Sequence, residues 1–357
     1  MATYEYKTWE TIDLPVVSGD TYFLILDHQA EIGDNPMEET EGIIFTGKIV
    51  DGYHLKNLNE ILDQYVKPQH IVFSGSTQED NNMHKIFWVY YSKDGWASWD
   101  YDSIVLTYDW SYGIDTPNSF LSDPIIDMLD CRQWFLFSSK ASTPDITTNI
   151  TARLENDQIA SYNMNGFTYY NFVCNLSDLV YPAEFNYEYS YDFFVDSPGH
   201  PIKGTYNNFS IGTNAIRKNY KIALTCCRYC IYYLNKFGGW DSMLFKGKEL
   251  KTDNIERLSS KQNYRSMTND FGQVDYMTKI NERWSLNTSY LDDGQSSRMS
   301  HLIETNRAYL HDLVDNKIYP INIINSTCEL KTYKNQGRKM AVYTIEVKSS
   351  QDKFRIN

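Results

Sequence analysis

The sequence predicts a mainly β, multi-domain chain of β-sandwich-like domains with a few short helices, and three observations carry that reading. Aromatics make up 15% of the 357 residues, with 29 Tyr among them. Tyr suits strands and also surfaces that are apolar at one end and wet at the other. Short aromatic and β-branched runs recur between turns built on Gly, Asn and Asp. Only two stretches place their apolar residues on a helical face. The length divides into a β-rich N-terminal domain over 1–140, a middle β region or connector over 141–215, and a C-terminal β-rich domain over 216–357.

The N-terminal domain opens with strands at Tyr4–Trp9 and, after the Ser18-Gly19-Asp20 turn, at Thr21–Leu26. The acidic stretch Glu31–Glu41 carries the breakers Gly33, Asp34, Asn35 and Pro36 and reads as a solvated loop. It lacks the alternating aspartates of a calcium loop. Ile43–Val50 is a strand. Leu55, Leu58, Ile61, Leu62 and Tyr65 then form one helical face, ended by Lys67-Pro68. Strands follow at His84–Tyr91 and Ser103–Trp110, with Lys93-Asp94-Gly95 marking a hairpin before Trp96 and Trp99. Ser138–Thr148 is small and polar and reads as a linker. Beyond it, Phe167–Cys174 and the Tyr-rich Tyr181–Val195 read as β. The imperfect alternation of the latter places it on a sheet edge or at a subunit contact, with Tyr187, Tyr189 and Tyr191 as candidate interface residues.

The C-terminal domain is organised around Tyr220–Phe245, two apolar runs flanking Gly238-Gly239. The first run reads as one long buried strand. The glycines supply positive φ for a tight reversal, and Trp240 covers the hairpin end. Gly238, Gly239 and Trp240 are the candidate structural turn, with Gly239→Val expected to prevent folding or assembly. WVYYSKDGWASWD at Trp88–Asp100 repeats the pattern of CIYYLNKFGGWDS at Cys230–Ser242, through either duplication or convergence. Polar, poorly periodic Lys251–Asp275 reads as a long loop or arm reaching a neighbouring copy, with Arg257, Lys261 and Arg265 as candidate interface residues. Glu282–Ser289 is a strand. Ser296 or Ser297 caps a helix through Ile303 whose inner face is Met299, Leu302 and Ile303. Ala308–Leu313, Ile318–Ile324 and a hairpin of Cys328–Tyr333 with Lys339–Lys348 close the chain.

Charge is unevenly spread. Residues 1–200 carry 9 Lys and Arg against 31 Asp and Glu, a net of −22; the remainder carries 24 against 15, a net of +9. The split reads as interaction polarity between neighbouring copies, with nucleic-acid contact or two independently solvated domains as alternatives. No apolar run is long enough for a membrane span, and the N-terminus lacks the pattern of a signal peptide.

Residue patterns for chemistry are weak. Of the six cysteines, Cys227 and Cys230 form a C-x-x-C, but no second ligand pair stands at zinc spacing. Buried thiols are the expected state, on opposite faces of a strand. The histidines form no H-E-x-x-H, although His301 and His311 bracket a helix end and a strand. No G-x-S-x-G elbow occurs. Gly199–Thr205 has the outer glycine spacing of a P-loop without its Lys-Ser/Thr. Asp292-Asp293, or Asp100 with Asp102, are acidic pairs of a kind that serves glycoside hydrolysis, and equally common acidic turns. No catalytic residue, cofactor or metal is expected.

Several segments resemble a family of virion proteins from tailed phages of Bacteroidetes, including crAss-like phages. They are Arg228–Gly247, Arg283–Thr288, Ser296–Leu313, Ile318–Ile323 and Thr332–Val347, with weaker likeness at Phe45–Val66 and Thr107–Gly113. The resemblance implies a structural component of the phage tail, a ring, hub, baseplate-like or muzzle-type protein, made in the host cytoplasm and located in the virion. It carries no functional residues over. The implied partners are copies of itself and other tail proteins. One alternative is a tail-tip protein binding a host glycan on Trp96 and Trp99. A second is a polysaccharide depolymerase.

Overall fold

The structure, a computed structural model, is mainly β with one helix among the described residues. It describes residues 3–8, 10, 21–27, 47–49, 62, 64–74, 77–79, 82–92, 97–98, 100–109, 128–130, 132–140, 148–153 and 159–164. Beyond these it describes 169–175, 189–195, 202–206, 209–212, 216–223, 226–261, 273–291, 293–325 and 342–356.

The first sheet runs β1 (Thr3–Lys7), β6 (Asp100–Thr107), β5 (His84–Ser92), β2 (Thr21–Asp27), β3 (Gly47–Ile49). β1 is parallel to β6 and the other neighbours are antiparallel. A second sheet runs β10 (Ile159–Met164), β9 (Thr148–Arg153), β12 (Tyr189–Val195), β15 (Ile216–Ala223), β7 (Met128–Asp130). A third joins β4 (Thr77–Glu79), β11 (Tyr169–Asn175) and β8 (Trp134–Lys140); β13 (Ile202–Tyr206) and β14 (Phe209–Gly212) pair alone. The largest sheet runs β17 (Trp240–Phe245), β16 (Tyr229–Leu234), β20 (Ala308–Asp312), β21 (Lys317–Ile323), β22 (Thr344–Ser349), β19 (Gln273–Asn287), β18 (Glu249–Lys261). β23 (Lys353–Ile356) also pairs with β19, making eight strands. The helix α1 (Asp293–Glu304) follows β19.

β16 lies between two hydrophobic cores. Its sequence YCIYYL is aromatic and β-branched with no charge on either face, and all six residues are buried. The two-residue period of a strand sends alternate side chains to opposite faces. Cys230, Tyr232 and Leu234 enter one core with Leu62, Met83, Phe87, Ile104, Leu136, Val173 and Trp240. Tyr229, Ile231 and Tyr233 enter another with Trp284, Leu286, Met299, Leu302, Ile345 and Val347. The first core therefore draws on segments from both ends of the chain. Each fully buried large side chain contributes about 1.5–3 kcal/mol relative to exposure. The helix face read from sequence holds: Met299 and Leu302 are fully buried, and Ile303 packs against the second core.

Several expectations need correction. The run from Tyr220 is two strands in two sheets, β15 and β16. Between them, just before β16, the Cys227 carbonyl accepts from Arg132 Nη2 (2.8 Å). Cys227 therefore precedes the strand and shares the first core with Cys230, so the two thiols lie on one side and not on opposite faces. The described parts of the polar arm, 251–261 and 273–275, are strand: β18 and β19 form a thirteen-pair antiparallel ribbon with one irregularity at Leu258/Ser259. Of the Tyr-rich segment, 189–195 form β12: Asp192–Val195 lie between β9 and β15, while Tyr189 and Tyr191 pair with Ile222 and Tyr220 of β15, beyond the reach of the β9 pairing. Ser138–Lys140, read as linker, belongs to β8, and Ser138 is buried with its hydroxyl on Asn171 Oδ1 (2.7 Å). α1 starts at Asp293, so Ser296 lies inside its first turn and caps nothing.

Of the helix expected at 55–65, Leu62 is helical and buried, while Tyr65 sits exposed in a turn. The acidic loop, Trp96, Trp99, Tyr187, Arg265 and the strand at Cys328–Tyr333 lie outside the described residues.

Candidate functional site

The β16–β17 reversal is built from one side chain. Asn235 N–H donates to Gly239 O (2.8 Å), and its side-chain Oδ1 accepts from Phe237 N and Gly239 N (2.9 Å each). Its Nδ2 donates to the buried carboxylate of Asp241 (2.7 Å). Asn is suited to this because its amide can mimic a turn of backbone. Gly238 N–H closes the turn on Asn235 O, and Gly238 alone takes positive φ (+87°) among the described glycines. The positive-φ role expected for Gly239 thus belongs to its neighbour: once Asn235 binds Gly239 N–H, the chain has reversed at Gly238. Trp240 begins β17 and is fully buried, over Tyr309 at 5.7 Å between rings. The supposed repeat at Trp88–Asp100 is also a hairpin, but there Tyr91 pairs with Asp100, whereas Leu234 pairs with Trp240.

Around this turn lies a cleft of about 300 Å³, lined by Tyr108, Asn235, Lys236, His301, Glu304, Thr305 and Asn306. His301 meets Phe237 edge-on at 5.6 Å. His311, in contrast, is buried in a closed relay. Trp134 N–H donates to Tyr232 Oη (2.8 Å), Tyr232 lies 3.0 Å from His311 Nδ1, and His311 Nε2 lies 3.0 Å from Asn316 Oδ1. Since the amide oxygen only accepts, His311 carries its proton on Nε2 and accepts from the Tyr232 hydroxyl on Nδ1. Asn316 takes the positive φ (50°) that its hairpin requires. The two histidines thus have separate surroundings.

Burial holds the His311 imidazole below its ordinary pKa, opposed by the Asn316 hydrogen bond. A histidine kept neutral in the fold binds its proton first in the unfolded chain. Its contribution is complete above the unfolded pKa of about 6.5 and is lost as pH falls below it. The urea midpoint should therefore drop between pH 7.5 and 5.5, and His311→Gln should shrink that drop. An equal drop in the variant would contradict the assignment.

Cys227 and Cys230 are placed for packing. Cys226, Cys227 and Cys230 are free thiols, the last two buried, and burial pushes the Cys230 thiol well above its ordinary value. A thiol held protonated is a poor nucleophile and metal ligand.

The β18–β19 ribbon is open to solvent along β18. Every residue from Leu250 to Lys261 is exposed, including Leu250, Ile255 and Leu258. β18 ends the sheet, so one row of its backbone groups has no strand beside it among the described residues. Its base is anchored by Glu282, whose Oε1 accepts from Lys251 Nζ (2.6 Å) and whose Oε2 forms an ion pair with Lys353 Nζ at 2.7 Å. Burial alone would raise the Glu282 carboxyl, but the two ammonium groups hold it below its usual range. Arg257 lies 3.8 Å from Asp275 across the ribbon and, like Lys261, is exposed. The opposite sheet edge differs: β17 meets β8, where Trp240 N–H donates to Ser138 Oγ (2.8 Å).

Of the residues singled out from sequence, the structure brings together Gly238, Gly239 and Trp240, and separately Arg257 and Lys261 on one ribbon. Tyr189 and Tyr191 belong to a different sheet. Asn235, His311, Tyr232 and the cleft residues from 301–306 were missed as partners. The Asn three residues before Gly238 was the available signal for the first.

No helix among the described residues is long and apolar enough to cross a membrane. Comparison with protein-family models, with curated proteins and with solved structures finds no match.

Proposed function

We propose that this chain is a structural component of a bacteriophage tail, located in the virion and acting by multi-copy assembly, not by catalysis. The observation that carries the reading is the β18 edge: thirteen residues of strand with twelve exposed and, among the described residues, no neighbour on one side. Native sheets usually shorten, bend or cover such an edge, because its free N–H and C=O groups recruit further strands. A protein that assembles uses it. The charge division along the chain supports the same reading, since the basic part of one copy attracts the acidic part of the next. The resemblance to phage virion proteins supplies the tail as the setting, and other tail proteins as partners.

Light scattering with electron microscopy on the purified chain, at low and high salt, tests this. The expected result is multi-copy particles that loosen as salt screens the charges. A monomer at every concentration and salt would overturn it.

The second reading is glycan recognition at the tail tip. The cleft beside the turn favours it, because Lys236, Glu304 and Asn306 are hydrogen-bonding groups that suit hydroxyls. Saturable binding on a glycan array, lost in Glu304→Ala with the fold intact, would support this second reading.

A further inference from the structure

We infer that two copies of this chain join through β18, antiparallel to itself about a two-fold axis at Ile255. The inference rests on the assembly reading and names its contact. β18 runs Glu249–Lys261, so Ile255 is its midpoint, and pairing about Ile255 overlaps all thirteen residues. In that register Glu249 faces Lys261 of the second copy, and Asp253 faces Arg257. The symmetry repeats each pair, so four oppositely charged contacts form across one interface. The two Ile255 side chains face each other at the centre, and Leu258 meets Thr252.

No like charges oppose one another in this arrangement. A two-fold axis perpendicular to the sheet permits only registers displaced by two positions, because side chains must keep their face. The nearest alternative on one side sets Lys251 against Arg257. The nearest on the other sets Lys251 against Lys261 and Glu256 against its own copy. Directly opposed like charges destabilise a ladder, and opposite charges support it. Charged residues on an edge strand ordinarily repel a second strand. Here their order admits one register and works against its neighbours.

The geometry of the ribbon permits the approach. Residues Leu250–Lys261 are exposed throughout, and β18 keeps its regular course, since at the irregularity the extra residue, Tyr276, belongs to β19. The partner strand would continue the large sheet across the axis, covering Ile255 and Leu258, which are 50% and 48% exposed.

Charge reversal tests the pairing in the full chain. Asp253→Arg places Arg opposite Arg257 twice and should weaken association roughly tenfold or more. The double variant Asp253→Arg with Arg257→Asp restores complementarity and should recover most of it. Cross-linking provides a readout that charge effects within one copy do not move. In a Cys226→Ser background, Ile255→Cys should cross-link to itself with a short bismaleimide. Thr252→Cys alone should not, its two copies lying about 20 Å apart along the ladder. A mixture of Thr252→Cys and Leu258→Cys proteins should cross-link. Assembly that survives Asp253→Arg, without the Ile255 cross-link, would overturn this contact and leave the assembly reading standing. A chain that stays monomeric would overturn both.

Discussion

Gly238→Val is expected to cost about 3 kcal/mol or more and to prevent the β16–β17 hairpin from closing. Two effects add. The φ of +87° is a conformation that a β-branched residue strongly disfavours. The added Cβ would also run into the Met83 methyl group and lie 3.1 Å from a Tyr108 ring carbon. The Met83 end is flexible and can move, but it belongs to the first core, where displacement has its own cost. Gly238→Ala meets the same backbone penalty of about 1–2 kcal/mol with a smaller clash. Urea or thermal unfolding of the parent and both variants checks the order. A Gly238→Val protein as stable as the parent would contradict the turn geometry.

Trp240→Ala is expected to lose about 3–5 kcal/mol, the range for removing a fully buried large aromatic. The indole sits in the first core beside Leu234 and tilts over Tyr309. Its loss leaves a cavity that the surrounding strands cannot close, because β16 is packed on both faces. Trp240→Phe should lose clearly less by retaining a ring. The same unfolding measurement decides it: a loss under about 1 kcal/mol in Trp240→Ala would mean that the ring does not fill the core.

What sequence patterns revealed follows from how local each signal was. β16 was legible as a buried strand because every residue in YCIYYL is apolar or aromatic. The alternation in β22 was equally plain: Ile345 and Val347 point inward while Thr344, Glu346 and Lys348 are exposed. α1 showed its inner face through Met299 and Leu302. β18 left no such trace. With both its faces in solvent no apolar period arises, and its strand character comes from thirteen pairings with β19. The same lack of pattern that suggested a loop marks a strand outside any core.

The site was less legible because its parts converge from distant segments. Two adjacent glycines gave no basis for choosing between them. The hydrogen bonds from Asn235 Oδ1 to Phe237 and Gly239 made that choice. Tyr189 and Tyr191 read as edge residues because Tyr tolerates both water and burial; the strands beside β12 come from 150–153 and 216–222, and only the second reaches these two tyrosines. His311 was visible as a histidine, but its partners Tyr232 and Asn316 emerge only when β20 lies beside β16 and turns into β21.

Hydrogen exchange on the wild-type chain, at concentrations below and above the onset of association, tests most directly that this chain assembles through its open edge. The account predicts that amides of 250–261 gain protection on association, while those of β16 are protected at both concentrations. Association with unchanged exchange across 250–261, and new protection elsewhere, would contradict it.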